Sequence, residues 1–305
     1  MPDPDSIPPA AQAAILAWYQ DHGRALPFRR TNDPYPVLVS EAMAQQTQAA
    51  RAGEAWVRFI ERFPTAEALA AASPADVLRA WRGLGYNRRA LNLQRAARRI
   101  VEVHRGRVPP DIRSLLELPG VGPYTARAVA AIAFGEPVGA VDTNVRRVLG
   151  RILAGDPAAM SAARLQRAAD GAVPKDRAAD WAHALMDVGA TICRPRRPDC
   201  EACPARTWCA FAGGSRPVAA VRGVASRRRP SPAFATTSRW LRGRIVERLR
   251  AASARTWTRV EGPIGMHDEA AVAAALIALA RDGLIELDRR STVAGPGQRA
   301  RLSTS

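Results

Sequence analysis

Cys193, Cys200, Cys203 and Cys209 are the only thiols among 305 residues, and all fall within the stretch CRPRRPDCEACPARTWC. Their spacing is C-x6-C-x2-C-x5-C. Four clustered thiolates are soft metal ligands, and both a zinc ion and an iron–sulfur cluster accept such a set. Structural zinc usually draws on two separated C-x2-4-C knuckles. This loop has one knuckle, and a single short loop wrapped around a bulkier cube suits a [4Fe-4S] cluster. In a reducing compartment, metal binding is expected ahead of disulfides.

Two carboxylates stand in segments of marked character. Glu41 lies in VLVSEAMAQQTQ, where helical spacing places Glu41, Gln45 and Gln48 on one polar stripe. Asp142 lies in AVDTNVRRVL, at the expected start of a helix. Taken singly, the first reads as an exposed helix position and the second as an N-cap worth about 1 kcal/mol. Together, a carboxylic acid and a carboxylate can break a bond at a sugar carbon, one protonating the leaving group and the other facing the cationic sugar. Leu118-Pro119-Gly120-Val121-Gly122 joins two helices. Its two glycines permit a tight reversal and leave backbone N–H groups bare at a helix N-terminus, where an anion such as phosphate is favoured.

The elements that must position these groups read as helices. From Ile7 to about Ala212 amphipathic periodicity is broken only by short Pro, Gly and Asp punctuation, with almost no strand alternation. Helices are expected at Pro9 to His22, Pro36 to Arg62, Thr65 to Ala71, Pro74 to Trp81, Asn87 to His104, Asp111 to Glu117, Tyr124 to Phe134, Thr143 to Leu153, Ala159 to Ala172 and Arg177 to Val188. Residues 213–233 are rich in Gly, Pro, Ser and Arg and read as a linker. Beyond it a small α+β unit is expected: a helix at Arg239 to Ala252, an apolar stretch at Trp257, a helix at Asp268 to Arg281, then short strands at Leu284 to Leu287 and Arg299 to Leu302. That order is winged-helix-like, with Asp268 to Arg281 in the recognition position and Asp288 to Gln298 as the wing.

The 45 basic and 28 acidic residues give a net charge of +17, which attracts a polyanion and makes nucleic acid the first partner to consider. Genome composition also contributes, because every cation except Lys175 is arginine. No apolar run reaches the roughly 20 residues of a membrane span. The N-terminal MPDPDSIPPAAQAAI lacks the pattern of a secretory signal, so a cytoplasmic, nucleoid-associated protein without membrane partners is expected.

The cysteine spacing, the LPGVG hairpin about 70 residues ahead of it, and the segments LPFR, GLGYNRRALNL, VGPYTARAV and DVGATIC together resemble the helix-hairpin-helix DNA glycosylases related to endonuclease III and MutY. The closest likeness is to the MutY-type adenine glycosylases, and it covers Ile7 to Ala212. The resemblance implies an all-α fold of two helical lobes: a six-helix barrel with the hairpin at residues 27–137, and a cluster lobe of residues 6–26 and 138–212. The winged-helix-like domain would follow at 234–305. It also implies a [4Fe-4S] cofactor on the four cysteines, with Arg194, Arg196, Arg197 and Arg206 masking its charge and meeting phosphate. Glu41 would protonate a flipped adenine at N7, Asp142 would stabilise the sugar cation, and Tyr124 and Asn144 would steady both. Arg29, Gln45, Gln46, Tyr86, Asn87, Arg88, Leu118, Gly120, Val121 and Gly122 would contact DNA. The expected partner is double-stranded DNA with a mismatched or damaged base, bound by a monomer.

Endonuclease III-like enzymes carry a Schiff-base lysine where this chain has Tyr124, so a monofunctional glycosylase without efficient lyase activity is expected. Three departures bear on substrate. The tail is too short and differently patterned for the MutT-like domain that reads 8-oxoguanine, the family's Tyr-Tyr pair is Tyr86-Asn87, and His183 stands where an acidic or amide side chain is usual. Glycosylases that remove thymine or uracil opposite guanine also carry a tyrosine at the Tyr124 position and remain the alternative. A non-catalytic iron–sulfur regulator is the alternative of another class, though it has no use for the Glu41 and Asp142 pair.

Overall fold

The computed structural model of the chain describes residues 5–213, 233–253, 256–288 and 298–304. Its helices are α1 (Pro9–His22), α2 (Pro34–Ala44), α3 (Ala49–Arg62), α4 (Ala66–Ala71), α5 (Pro74–Ala80), α6 (Arg88–His104), α7 (Ile112–Leu116), α8 (Pro123–Phe134), α9 (Thr143–Ala154), α10 (Ala162–Gly171), α11 (Ala178–Asp187), α12 (Ala210–Gly213), α13 (Ser238–Ala251) and α14 (Glu269–Arg281). The strands are β1 (Thr258–Val260), β2 (Ile285–Leu287) and β3 (Gln298–Leu302), which form an antiparallel sheet in the order β1-β3-β2.

Side-chain caps set many of the boundaries. Thr65, Ser73, Asp111, Asp142, Ser161 and Asp268 each accept a hydrogen bond from a backbone N–H in the first turn of the helix they open. The expected single helix from Pro36 to Arg62 is two helices. Gln46 adopts φ +54°, a left-handed conformation that ends α2, and Gln48 caps α3 in extended geometry. The stripe expected to carry Glu41, Gln45 and Gln48 therefore does not exist, because both glutamines lie in the turn beyond α2. The helix expected from Ala159 begins at Ala162, after a single 3-10 turn at Pro157–Ala159.

The chain divides into two compact units: residues 1–41, 108–117 and 121–223, and residues 42–107, 118–120 and 224–305. The first has a core of Ile15, Ala131, Val148, Leu149, Trp181 and Leu185, drawn from α1, α8, α9 and α11. The second buries Phe59, Leu69, Leu78, Trp81 and Ile100, with Phe59 edge-on to Trp81 at 5.9 Å. It also includes the C-terminal module, whose Arg250 donates to the Leu78 carbonyl (2.8 Å) and to Asn87 Oδ1 (2.8 Å). The order expected after the linker is present, and the apolar stretch expected at Trp257 leads into a strand, β1. Most of the linker and of the expected wing, residues 214–232 and 289–297, lies outside the described residues. Among the described residues no helix is long and apolar enough to cross a membrane.

Candidate active site

Three elements of the first unit converge: the last turn of α2 brings Glu41, the first turn of α8 brings Tyr124, and the start of α9 brings Asp142. Glu41 is 8 % exposed. Burial, reinforced by the Asp142 charge, pushes its carboxyl up to about 7, against the opposing pull of a hydrogen bond from Tyr124 and the charge of Arg29. Burial and the charges of Glu41 and Asp142 hold the Tyr124 phenol well above its ordinary value, so it stays a neutral donor. Its other neighbour is Sδ of Met186, at 3.8 Å.

Asp142 caps α9, accepting from the Val145 N–H at 2.7 Å, and its second oxygen takes the Asn144 amide at 3.0 Å. The cap and the site use different oxygens of one carboxylate. Asn144 Oδ1 in turn accepts from Arg147 Nη2 at 2.8 Å, and Arg147 also donates to the carbonyls of Gly189 (2.7 Å) and Cys193 (2.6 Å). A continuous hydrogen-bonded path therefore joins Asp142 to the first cysteine of the loop.

Arg29, expected to touch DNA, is turned inward. Its side chain is 7 % exposed and grips the fully buried Asp187 through Nη1–Oδ2 (2.6 Å) and Nη2–Oδ1 (2.7 Å). Arg24 adds bonds to the same carboxylate from its backbone N–H (2.8 Å) and Nε (2.7 Å). Burial raises the Asp187 carboxyl, but the arginines outweigh it and hold it below the ordinary range. The guanidinium of Arg29 also lies over the Tyr19 ring, which tilts against His183 at 6.3 Å. Burial and the Arg29 charge push His183 down to about 3, leaving a neutral imidazole. Sequence reading missed Arg24 and Asp187 as site-shaping residues; both sit in segments it had noted, beside LPFR and inside DVGATIC.

The four cysteines are free thiols, all partly buried. Cys193 is an electrostatic neighbour of Cys200, Cys203 and Cys209, so the four share one locality. Among the described residues, no three His, Cys, Asp or Glu side chains are gathered as around a single metal ion. Arg151, buried in α9, donates to Cys193 Sγ (3.3 Å), to the Arg194 carbonyl (2.9 Å) and to the Pro195 carbonyl (3.0 Å). The inner positive charge at the loop thus comes from Arg147 and Arg151. Arg194, Arg196, Arg197 and Arg206 remain exposed, and Arg206 pairs with Glu201.

In the second unit, Gln46 and Tyr86 both adopt left-handed backbone, φ +54° and +43°. Arg89 pins both turns, donating to the carbonyls of Ala42 (3.0 Å), Met43 (3.1 Å), Gln45 and Leu84 (3.0 Å). Arg88 is exposed and faces Asp282 at 3.8 Å. Gly120 holds φ +85° with Asn92 so close that a Cβ would meet it at 2.8 Å. Gly122, by contrast, has φ −99° and caps α8, and Leu118 is buried. Only Gly120 of the two needs glycine's freedom, and Leu118 can offer a ligand only its backbone.

Residues 39–172 match the family model described as the HhH-GPD superfamily base excision DNA repair protein. Over 306 aligned residues the chain is 41% identical to an adenine DNA glycosylase of Mycobacterium tuberculosis, covering 97% of this chain and 98% of that one. Among solved structures it is similar to a thermostable thymine-DNA glycosylase, with TM-score 0.62 and 31% identity over 66% of this chain and 94% of that one. A trapped endonuclease III–DNA covalent intermediate gives TM-score 0.58 and 26% identity over 66% of this chain and 93% of that one.

Proposed function

The chain belongs to the adenine DNA glycosylases of the HhH-GPD superfamily, and on that premise we propose that it excises a flipped adenine mispaired with guanine or 8-oxoguanine, with Glu41 as the acid and Asp142 as the anion. Its partner is DNA. The observation that carries the reading is the buried Glu41 carboxyl, held protonated to about pH 7 beside Asp142 and Tyr124.

Glu41 gives its proton to N7 of the extruded adenine, and the C1′–N9 bond breaks with its electron pair leaving on the base. Asp142 faces the oxocarbenium-like sugar, with the oxygen that does not cap α9 held by Asn144. Water then completes an abasic product. No amine is placed for a Schiff base: the chain's one lysine, Lys175, sits in an exposed turn between α10 and α11. Gln45, Gln46, Tyr86, Asn87, Arg88 and the backbone of Leu118, Gly120, Val121 and Gly122 hold the duplex, as a monomer on the nucleoid. The four thiols would carry a [4Fe-4S] cluster, which supplies no step of the cleavage and braces the loop that Arg147 and Arg151 hold. The donor set, one short loop with a single C-x2-C knuckle, supports that choice over zinc.

Single-turnover assays on duplexes carrying A:8-oxoG, A:G, G:T and G:U test this. Adenine release from the first two is expected. Release of thymine or uracil alone would move the chain to the thymine or uracil glycosylases, alongside the thymine-DNA glycosylase among its fold neighbours.

A further inference from the structure

Five side chains of the second unit alternate ring and guanidinium. Arg89 lies over Trp81 (5.4 Å to the centroid) and Tyr86 (5.6 Å); Arg239 lies over Tyr86 (5.1 Å) and Phe234 (5.0 Å). The row starts in the core at Trp81 and ends at the surface, where Tyr86 is 42% and Phe234 55% exposed. Arg239 also donates to the Tyr86 hydroxyl, and Arg250 fixes the adjoining Asn87. Tyr86 keeps its left-handed backbone inside this grip, a conformation that a bulky residue holds only when its surroundings over-determine it.

Three neighbouring arginines face carboxylates: Arg82 meets Glu247, Arg242 meets Asp282, and Arg88 lies 3.8 Å from Asp282. Arg239 meets no carboxylate among the described residues. Two exposed rings with an unneutralised guanidinium between them offer faces on which bases stack and a cation for phosphate. A mere fastening between helices would gain by burying those rings.

We propose that Arg239 and Phe234, from the C-terminal module, form with Tyr86 one continuous edge that grips the substrate duplex, so that the module is part of the DNA-reading surface. The proposal rests on the reading above of a glycosylase acting on a mismatched duplex. Arg239 holds the Tyr86 ring in place and turns its remaining N–H donors to a backbone phosphate, while Phe234 lengthens the stacking face.

The test uses the full chain and equilibrium binding, by fluorescence anisotropy, to a duplex with uncleavable 2′-fluoro-deoxyadenosine opposite 8-oxoguanine. Arg239→Ala should weaken binding about tenfold and lower the salt slope by about one, and Phe234→Ala should weaken it several-fold. Arg248→Ala removes an exposed charge of the same helix outside the row and should change binding less than about twofold. Arg239→Lys and Phe234→Leu, milder for folding, should show smaller losses in the same order. Binding by all four row variants within twofold of Arg248→Ala would overturn the proposal, and lowered thermal stability with unchanged binding would mark the row as a fastening only. Because the readout is binding, it stands even if the wild-type chain released no adenine, an outcome that would sink the parent reading alone.

Discussion

The hydroxyl of Tyr124 sits against the carboxyl of Glu41 in the buried end of the site, where its hydrogen bond favours the ionised form that burial opposes. Removing that bond in Tyr124→Phe should move the Glu41 carboxyl further up. Excision that needs protonated Glu41 falls as pH rises through about 7, so the variant's alkaline limb should lie at higher pH than the wild type's, whatever happens to the maximal rate. Single-turnover rates from pH 5 to 9 read this directly. A limb that stays put or moves down contradicts the pairing.

The same carboxyl has a stability consequence. In the unfolded chain Glu41 titrates near 4.5, in the folded chain near 7. Below the lower value both states are protonated and nothing is lost; between the two values the unfolded state ionises first, and folding is increasingly penalised as pH rises. The full penalty, about 3 kcal/mol, is reached above pH 7. Glu41→Gln should therefore stabilise the protein at pH 8 and not at pH 4, as read by denaturant unfolding. Equal effects at both pH values would show that the carboxyl is not held protonated by its surroundings.

Asp142 caps a helix and faces the site with different oxygens. Asparagine also caps well, so Asp142→Asn should leave thermal stability nearly unchanged, whereas Asp142→Ala should cost about 1 kcal/mol. Both should lose excision by at least a hundredfold, in line with a lost charge at the sugar cation. An Asp142→Asn enzyme with near-wild-type turnover would reduce Asp142 to its capping role.

Arg147 holds Asn144 with one nitrogen and the carbonyl of Cys193 with another. Arg147→Ala should slow excision and lower the iron bound per purified chain together, as measured by single-turnover kinetics and metal analysis. Loss of one without the other would break the link between loop and site.

Much of this was legible in residue order. Helix starts at Ser73, Asp111 and Asp142 carry side-chain caps that the sequence displays, and the cysteine spacing marked its loop. The break between α2 and α3 was not legible, because Gln46 takes a left-handed backbone with no glycine to announce it, and it is Arg89, 43 positions on, that holds the turn. The pairing of Arg29 with Asp187 joins positions 158 residues apart, so local pattern marked both segments and could not join them. The packing of Arg147 and Arg151 against the cysteine loop follows only from tertiary structure, which no local pattern announces.

The central claim is that a protonated Glu41 drives adenine loss. Its most direct measurement is single-turnover adenine release from an A:8-oxoG duplex at saturating enzyme, wild type against Glu41→Gln, with the duplex affinity of each measured alongside. The account predicts unchanged affinity and a rate at least about a thousandfold lower in the variant. A variant that binds and releases adenine within tenfold of the wild-type rate would contradict it.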